Sequence, residues 1–242
     1  MTSDLRRERD RRAREDLILD EAHRTLVETG YLGLNLDRLA EQVEYSKGTL
    51  YNHFGSKEDL ILAVAVRNMT QRGDLFDRAL LLEGRPRERA VAIAIADLIF
   101  SRRRPGHFQI EQLARTPSLW EKTTEARRDA LAAAECRCLD AVAQVVREAM
   151  KAGDLSAAAG TTDQVAFNIW SMAYGMNLLA PTSAWPRKRR TAGLVITPGP
   201  IQDSFLDGLR WHPLSNDFDY ADTERRIRQT IFREELAGVR LR

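Results

Sequence analysis

The sequence predicts an all-α protein, with a small N-terminal helical domain followed by a larger one. Apolar residues recur with the 3.6-residue period of an α-helix along most of the 242 residues. No segment shows the alternating pattern of a β-strand convincingly, and the part after Pro86 is rich in alanine. A chain of this length can bury a core in each of two domains.

The composition excludes several classes of protein. Hydrophobic residues make up 43% and charged residues 30% of the chain, which is typical of a folded globular protein rather than a disordered one. No apolar run reaches the roughly 18 residues that a membrane span needs. The N-terminus is too charged for a signal peptide. We therefore expect no membrane partner and a cytoplasmic location.

The first helix is expected from about Arg9 to Thr29, and Gly30 should end it. Its apolar residues recur on one face. They are Ile18, Ala22, Leu26 and Val27.

Two short helices joined by a tight turn come next. Asn35 can cap the first of them with its side-chain oxygen. Glu44 and Tyr45 leave room only for a tight turn before Ser46, which can cap the second. Such a pair is a helix-turn-helix, whose second helix is presented to DNA. The apolar face of the first short helix consists of Leu36, Leu39, Ala40 and Val43.

The helix from Ser46 to Phe54 is expected to have one buried and one outward face. Leu50 and Phe54 lie one turn apart and should be buried. The outward face combines a cation, polar groups and a glycine, which suit phosphates and base edges in a major groove. An ordinary solvated helix is the alternative, and the neighbouring helix signals favour DNA. The outward residues are Lys47, Gly48, Tyr51 and Asn52, flanked by Thr49 and His53.

A fourth helix should begin at Ser56, after Gly55, and continue to about Leu82. Glu58 and Asp59 in its first turn complement the helix dipole. Its length would allow it to carry movement from one domain to the other. The core of the first domain is expected to consist of Leu26, Leu39, Val43, Leu50, Phe54 and Leu60.

From Gly30 to Leu60 the chain resembles the DNA-binding domain of the tetracycline-repressor (TetR) family. The shared pattern is a closing glycine, a capping residue before a Leu-Ala pair, the run Ser-x-Gly-Thr-Leu-Tyr-x-His-Phe, and Ser-Lys-Glu-x-Leu. These positions are Gly30, Asn35, Leu39–Ala40, Ser46–Phe54 and Ser56–Leu60.

Two positions depart from the family pattern. Asn35 stands where threonine is usual, which exchanges one capping residue for another. Glu44 stands where the family often has glycine in the turn. Either the turn avoids a left-handed residue, or Glu44 adopts that conformation at a cost of roughly 1 kcal/mol.

The resemblance implies a helix-turn-helix DNA-binding domain over residues 1–60 and a larger helical ligand-binding and dimerisation domain over residues 61–242. It implies a transcriptional regulator, in most such proteins a repressor, that binds a palindromic operator in double-stranded DNA as a homodimer. A small-molecule effector would release it. The implied DNA-binding residues are Asn35, Tyr45, Ser46, Lys47, Gly48, Thr49, Tyr51, His53 and Lys57.

The alternative function is a DNA-binding regulator controlled by a protein partner instead of a small ligand. A co-purifying ligand, or a heat-stability screen against metabolites, would separate the two. We expect no enzyme, because no nucleophile motif, phosphate-binding glycine loop or metal-ligand spacing occurs, and we expect no cofactor and no metal. The four histidines are scattered, at His23, His53, His107 and His212.

The larger domain is expected to hold six helices, a turn around Trp120 and a loop over Ala184–Pro200. The basic run Arg187–Arg190 in this loop could bind an anion or be an exposed charge cluster. Aromatic or polar-tipped residues in the central helices are candidates for the effector pocket, and a core position is the alternative for each. They are Phe100, His107, Phe108, Trp120, Trp170 and Tyr174. The expected helices are Pro86–Arg103, Phe108–Ala114, Glu125–Ala152, Thr162–Ala180, Ile201–Trp211 and Thr223–Leu236.

The helix Thr162–Ala180 is apolar around most of its circumference, which predicts that it is covered on two sides. One side would face its own domain and the other a second subunit. Ile201, Phe205 and Leu209 would supply the matching helix. One face has Val165, Ile169, Met172, Met176 and Leu179, and the other has Ala166, Trp170, Ala173 and Ala180.

Cys136 and Cys138 lie two residues apart on a predicted helix and should point to different faces, so they cannot readily bond to each other.

The net charge of the N-terminal region gives little support for nucleic-acid binding, since residues 1–60 hold ten Lys/Arg and thirteen Asp/Glu. An arginine cluster at the start can be a solvated tail, or it can touch phosphates or reach into a minor groove. It consists of Arg6, Arg7, Arg9, Arg11, Arg12 and Arg14.

Overall fold

The structure, a computed structural model, describes residues 2–182 and 198–237. These residues form helices, turns and loops and no β-strand, so the all-α prediction is confirmed. A short 3-10 turn lies at Ala157–Ala159. The helices are α1 (Thr2–Gly33), α2 (Leu36–Gln42), α3 (Lys47–His53), α4 (Lys57–Leu80), α5 (Pro86–Arg103), α6 (His107–Ala114), α7 (Pro117–Trp120), α8 (Glu125–Ala152), α9 (Thr162–Thr182), α10 (Pro198–Gly208) and α11 (Tyr220–Gln229).

The chain divides into two compact units. The first contains residues 2–70 and 104–134, and the second contains residues 71–103, 135–182 and 198–237. Two of the three divisions fall within α4 and α8, and the third follows the end of α5. The functional division at residue 60 stays a prediction, because packing does not test which part binds DNA or ligand.

The first helix is longer than the predicted Arg9–Thr29. α1 begins at Thr2, and exposed pairs one turn apart, such as Arg12 with Glu8 at 3.2 Å, accompany this extension. Gly30 has φ 68° and ψ −170° inside α1, so the helical path breaks at the residue expected to end it.

The predicted core of the N-terminal region is confirmed. Leu50, Phe54 and Leu60 are fully buried, and none of the three other residues is more than 7% exposed. Ile18 and Ile61 add to this core. Three helices and the start of α4 therefore share one apolar centre, which fixes their orientation within the first unit.

Residues 104–134 complete the first unit. α6 packs against α1, and Asp20 on α1 pairs with Arg104 at 3.0 Å. Farther along, Thr124 donates a hydrogen bond to Asp59 at 3.3 Å. The start of α4 is thus held by a segment distant in sequence.

The second unit contains a buried arginine at the start of α5. Arg87 is fully buried, and its guanidinium lies 2.7 Å from Asp207 and 5.0 Å from the centre of the Tyr220 ring. Glu88 accepts a hydrogen bond from Thr223 at 2.9 Å. A buried charge requires such partners, and they hold α10 and α11 against α5.

Two C-terminal helix predictions are wrong in their bounds. The helix expected at Ile201–Trp211 is α10, which begins at Pro198, within the predicted loop Ala184–Pro200. Proline is tolerated in the first turn of a helix because its missing N–H is not needed there. The helix expected at Thr223–Leu236 is α11, and turns follow its end at Gln229. Residues 183–197, including the basic run 187–190, lie outside the described residues.

Buried His23 on α1 faces the turn before α6. Its Nε2 lies 3.2 Å from the carbonyl oxygen of Pro105. Burial lowers the pKa of His23; the hydrogen bond to Pro105 opposes this, the charges of Arg104 and Arg67 lower the pKa further, and Asp20 raises it. The folded protein therefore favours neutral His23.

We predict that His23 makes the fold sensitive to acid. A folded-state pKa below the ordinary value of 6.5 means that the stability is complete above that pH and is lost as the pH falls towards the folded-state pKa. In denaturant titrations between about pH 7 and pH 5, His23→Gln should lose less free energy of unfolding than the wild type. The exposed His212→Gln should retain the wild-type loss. Equal losses in the wild type and His23→Gln would contradict the prediction.

Candidate DNA-binding surface

α2 is capped as the sequence predicts. The Oδ1 of Asn35 accepts a hydrogen bond from the backbone N–H of Arg38 at 3.0 Å. Leu39 and Ala40 are buried on the inner face. Asn35 itself is exposed, next to the helix that it caps.

The turn after α2 uses a left-handed residue. Glu44 has φ 57°, and its N–H donates to the carbonyl of Glu41 at 3.2 Å, while the N–H of Tyr45 donates to the carbonyl of Ala40 at 2.9 Å. This pair of bonds is the Schellman motif, which normally places glycine where Glu44 stands. Of the two possibilities left by the sequence, the chain adopts the strained one, at a cost of about 1 kcal/mol.

α3 begins at a second cap. Ser46 is extended, with φ −65° and ψ 147°, and its Oγ accepts from the N–H of Thr49 at 3.1 Å. The helix ends at His53, with Phe54 as the C-terminal cap. Both caps satisfy backbone groups that a helix of seven residues leaves without partners.

The outward face of α3 is available to solvent. Lys47, Gly48, Tyr51 and Asn52 are exposed, and the Tyr51 side chain is 48% exposed. A Cβ added to Gly48 would meet no atom closer than 3.8 Å. Among the residues that the structure describes, nothing therefore requires glycine at this position. Among the other predicted DNA-binding residues, Ser46 is exposed, and Tyr45, Thr49, His53 and Lys57 are partly exposed.

Lys47 makes an ion pair with α2. Its Nζ donates a hydrogen bond of 2.6 Å to Oδ2 of Asp37. This hydrogen bond raises the pKa of Lys47, and the nearby charge of Glu41 acts in the same direction. The pairing of Asp37 with Lys47 has no signal in the sequence, because a contact across ten residues depends on how α2 and α3 pack.

Lys57 lies at the start of α4, over an aromatic ring. Its Nζ is 4.1 Å from the centre of the Tyr31 ring, and burial lowers the pKa of Lys57 while the charge of Glu58 opposes this. The Tyr31 hydroxyl donates to Glu58 at 2.7 Å. Ser56 accepts from the N–H of Asp59 at 3.0 Å and caps α4.

The six predicted pocket residues belong to different units. His107, Phe108 and Trp120 lie in the first unit. Phe100, Trp170 and Tyr174 lie in the second, where the last two rings meet edge to face at 5.8 Å. Each unit therefore holds aromatic candidates of its own, and their role in binding an effector stays a prediction.

The second unit has two features that the sequence did not predict. Asp97 lies 3.2 Å from Arg72 and accepts from Asn177 at 2.9 Å, which joins α4, α5 and α9. A groove of about 810 Å³ lies along α8 and α9. Neither has a sequence signal, because helices distant in the chain build both. The groove is lined by Cys136, Leu139, Asp140, Ala143, Ala159, Asp163, Gln164, Ala166, Phe167 and Asn168.

The two cysteines lie on different sides of α8, with Cys136 exposed and Cys138 buried. Within residues 2–182 and 198–237, no three His, Cys, Asp or Glu side chains are grouped so that they could hold a metal ion. In the same ranges, no helix is both long enough and apolar enough to cross a membrane.

The fold and this surface define a helix-turn-helix protein. Residues 18–64 match the family model of bacterial regulatory proteins of the tetR family. The chain is 36% identical over 66 residues to the HTH-type transcriptional repressor AcnR of Corynebacterium glutamicum, a match that covers 27% of this chain and 35% of that protein. The chain thus matches about a third of the length of this curated relative. Residues 18–64 of this chain are thus similar to the tetR family of bacterial regulatory proteins.

Solved structures share the fold over most of the chain. A protein of unknown function from Rhodococcus sp. RHA1 has a TM-score of 0.62 at 23% identity, over 81% of this chain and 95% of that one. The transcriptional regulator FadR from Bacillus subtilis, in complex with stearoyl-CoA, has a TM-score of 0.58 at 15% identity, over 74% of this chain and 94% of that one. At these identities, the likeness shows the fold alone.

The strained turn gives a prediction about stability. Glu44→Gly and Glu44→Ala remove the same exposed side chain, but only glycine adopts a positive φ without steric cost. The glycine variant should therefore be more stable than the alanine variant by about 1 kcal/mol, although the greater freedom of its unfolded chain offsets part of the gain. Urea titrations of both variants measure the difference. An alanine variant as stable as the glycine variant would mean that the turn relaxes to another conformation.

Proposed function

We propose that this protein is a DNA-binding transcriptional repressor that occupies a palindromic operator as a homodimer and is released by a small-molecule effector. The observation that carries the proposal is the outward face of α3, which is polar, cationic and accessible while its inner face is fully buried. Gly48 adds support, since the chain itself leaves room for a side chain there. The space suits close approach of a DNA backbone or base edge.

The outward residues would make two kinds of contact with DNA. Ser46, Gly48 and Thr49 lie at the start of α3, where a recognition helix meets base edges. Lys47, Tyr51, His53 and Lys57 would contact phosphates, which position the helix without reading sequence. Asn35 and Tyr45 would flank this surface.

The geometry favours binding because α3 is already in place. Ser46 caps the helix, and Leu50 and Phe54 fix it to the core. A helix that is ordered before binding loses less conformational entropy when it meets DNA. The side chains of the outward face, and not the helix itself, would then adjust to the operator.

A homodimer would place two such helices on one operator. α9 supports it, because this apolar helix leaves Phe167 and Leu179 more than half exposed, and Ile169, Met172 and Met176 half-buried. Val165, predicted on the same face as Ile169, Met172, Met176 and Leu179, is fully buried within its own unit. Two-fold symmetry would then match a palindromic site.

Release by an effector requires that the ligand bind one conformation better than the other. The complex of FadR with stearoyl-CoA supports a ligand-binding role for a fold of this kind. The likeness to AcnR, itself a repressor, supports repression as the output. In this chain, α4 would link the two functions, since it begins beside the recognition helix and continues into the second unit.

We predict that Tyr51→Ala weakens DNA binding. The probe is a duplex that the wild-type protein selects from a random DNA pool, followed by fluorescence anisotropy. A lost hydrogen bond to a charged phosphate should weaken binding on the order of tenfold, while the melting temperature stays nearly unchanged because the side chain is exposed. Tyr51→Phe keeps the ring and removes only the hydroxyl, so it distinguishes the contribution of the hydroxyl to affinity from that of the ring. Unchanged affinity of Tyr51→Ala would show that the outward face of α3 does not contact DNA as proposed.

We predict a dimer at micromolar concentration, measured by light scattering. Leu179→Glu should shift the protein towards monomer, because a carboxylate would be buried in the apolar interface without a partner. Leu81→Glu is the matched control, since Leu81 is 71% exposed and lies outside α9. A wild-type protein that is monomeric at this concentration would contradict the proposed dimer.

A further inference from the structure

In the proposed function, the ammonium group of Lys47 contacts a DNA phosphate. In the structure, this ammonium group forms an ion pair with Asp37. Lys47 is the first residue of α3, and Asp37 lies in the first turn of α2. The two charged atoms are 2.6 Å apart, and the side chains are 58% and 45% exposed. The bond is therefore formed at the protein surface, where a DNA phosphate could reach the same ammonium group.

The two acidic residues of α2, Asp37 and Glu41, affect Lys47 in different ways. Glu41 lies one turn farther along α2 and affects Lys47 through its charge, whereas Asp37 both hydrogen bonds to Lys47 and affects it through charge. The two residues form a natural pair for comparison. One acts through contact and charge, and the other through charge alone.

We propose that Asp37 is an intramolecular competitor of the DNA phosphates for Lys47 and thereby limits the affinity of the protein for DNA. This inference rests on the proposed function, in which α3 faces DNA. On binding, the Nζ of Lys47 exchanges the carboxylate of Asp37 for a phosphate oxygen, which is an acceptor of the same charge and similar hydrogen-bonding chemistry. An exposed ion pair is weak enough to be replaced in this way.

The exchange has a consequence for salt dependence. A phosphate that is neutralised by lysine releases condensed counterions from DNA, and each such contact adds about 0.9 to the log-log salt slope. When Lys47 moves from Asp37 to a DNA phosphate, the carboxylate of Asp37 can attract a cation from solution. This cation uptake offsets part of the counterion release from DNA. Removal of the Asp37 charge should therefore steepen the slope.

The effect should not depend on sequence. Phosphates carry no sequence information, so a competitor for a phosphate contact weakens binding to all duplexes similarly. Asp37 would set how tightly the protein binds DNA in general. The choice of operator would remain with the residues at the start of α3.

The test compares Asp37→Asn with Glu41→Gln on the duplex selected by the wild type and on a scrambled duplex of equal length. Asp37→Asn should tighten binding to both duplexes by roughly three- to tenfold at low salt and steepen the salt slope. Glu41→Gln, which removes an equal charge without the hydrogen bond, should have a smaller effect. In a Lys47→Ala background, the gain from Asp37→Asn should fall to the size of the Glu41→Gln effect.

Three outcomes would overturn the inference: weaker or unchanged binding of Asp37→Asn, a gain equal to that of Glu41→Gln, or a gain that persists in full without Lys47. Weaker binding would mean that Asp37 orients Lys47 for DNA. Failure of the proposed function would give a different result: the wild type would select no duplex, or Tyr51→Ala would bind like the wild type. Thermal unfolding of each variant checks that the fold is retained.

Discussion

The burial of Leu50 and Phe54 is the constraint on which the candidate DNA-binding surface depends. α3 has only seven residues and would not be stable as an isolated helix. Both apolar side chains are fully buried in the first unit, so the opposite face must point to solvent. The Ser46 cap then fixes where the helix begins. Together these contacts present Lys47 and Tyr51 at the surface.

The turn before α3 shows that the chain accepts strain to keep this arrangement. The backbone bonds of Glu44 and Tyr45 close α2 with a motif that glycine would serve without steric cost. Buried residues on both sides of the turn, Leu39 and Leu50, fix the two helices closely enough to hold the left-handed residue in place. The free energy of packing thus offsets a local conformational cost.

The sequence was sufficient for features that depend on local chemistry. The caps at Asn35 and Ser46, and the burial of Leu50, follow from residue type and helical spacing, and the structure contains them. The sequence could not predict contacts that depend on packing between distant segments, such as Asp37 with Lys47 or Arg87 with Asp207. The sequence also could not predict that residues 104–134 belong to the first unit, because this too depends on packing between distant segments. The early start of α10 was missed because prolines in a first turn were interpreted as loop residues.

In the proposed function, the outward face of α3 reads the major groove of a two-fold symmetric site. Methylation interference on a duplex selected by the protein from random DNA can test this, because guanine N7 lies in the major groove and adenine N3 in the minor groove. We predict interference at guanine N7 in two half-sites, on one face of the duplex and about one helical turn or a multiple apart. Interference confined to adenine N3, or to a single half-site, would contradict this account of the protein.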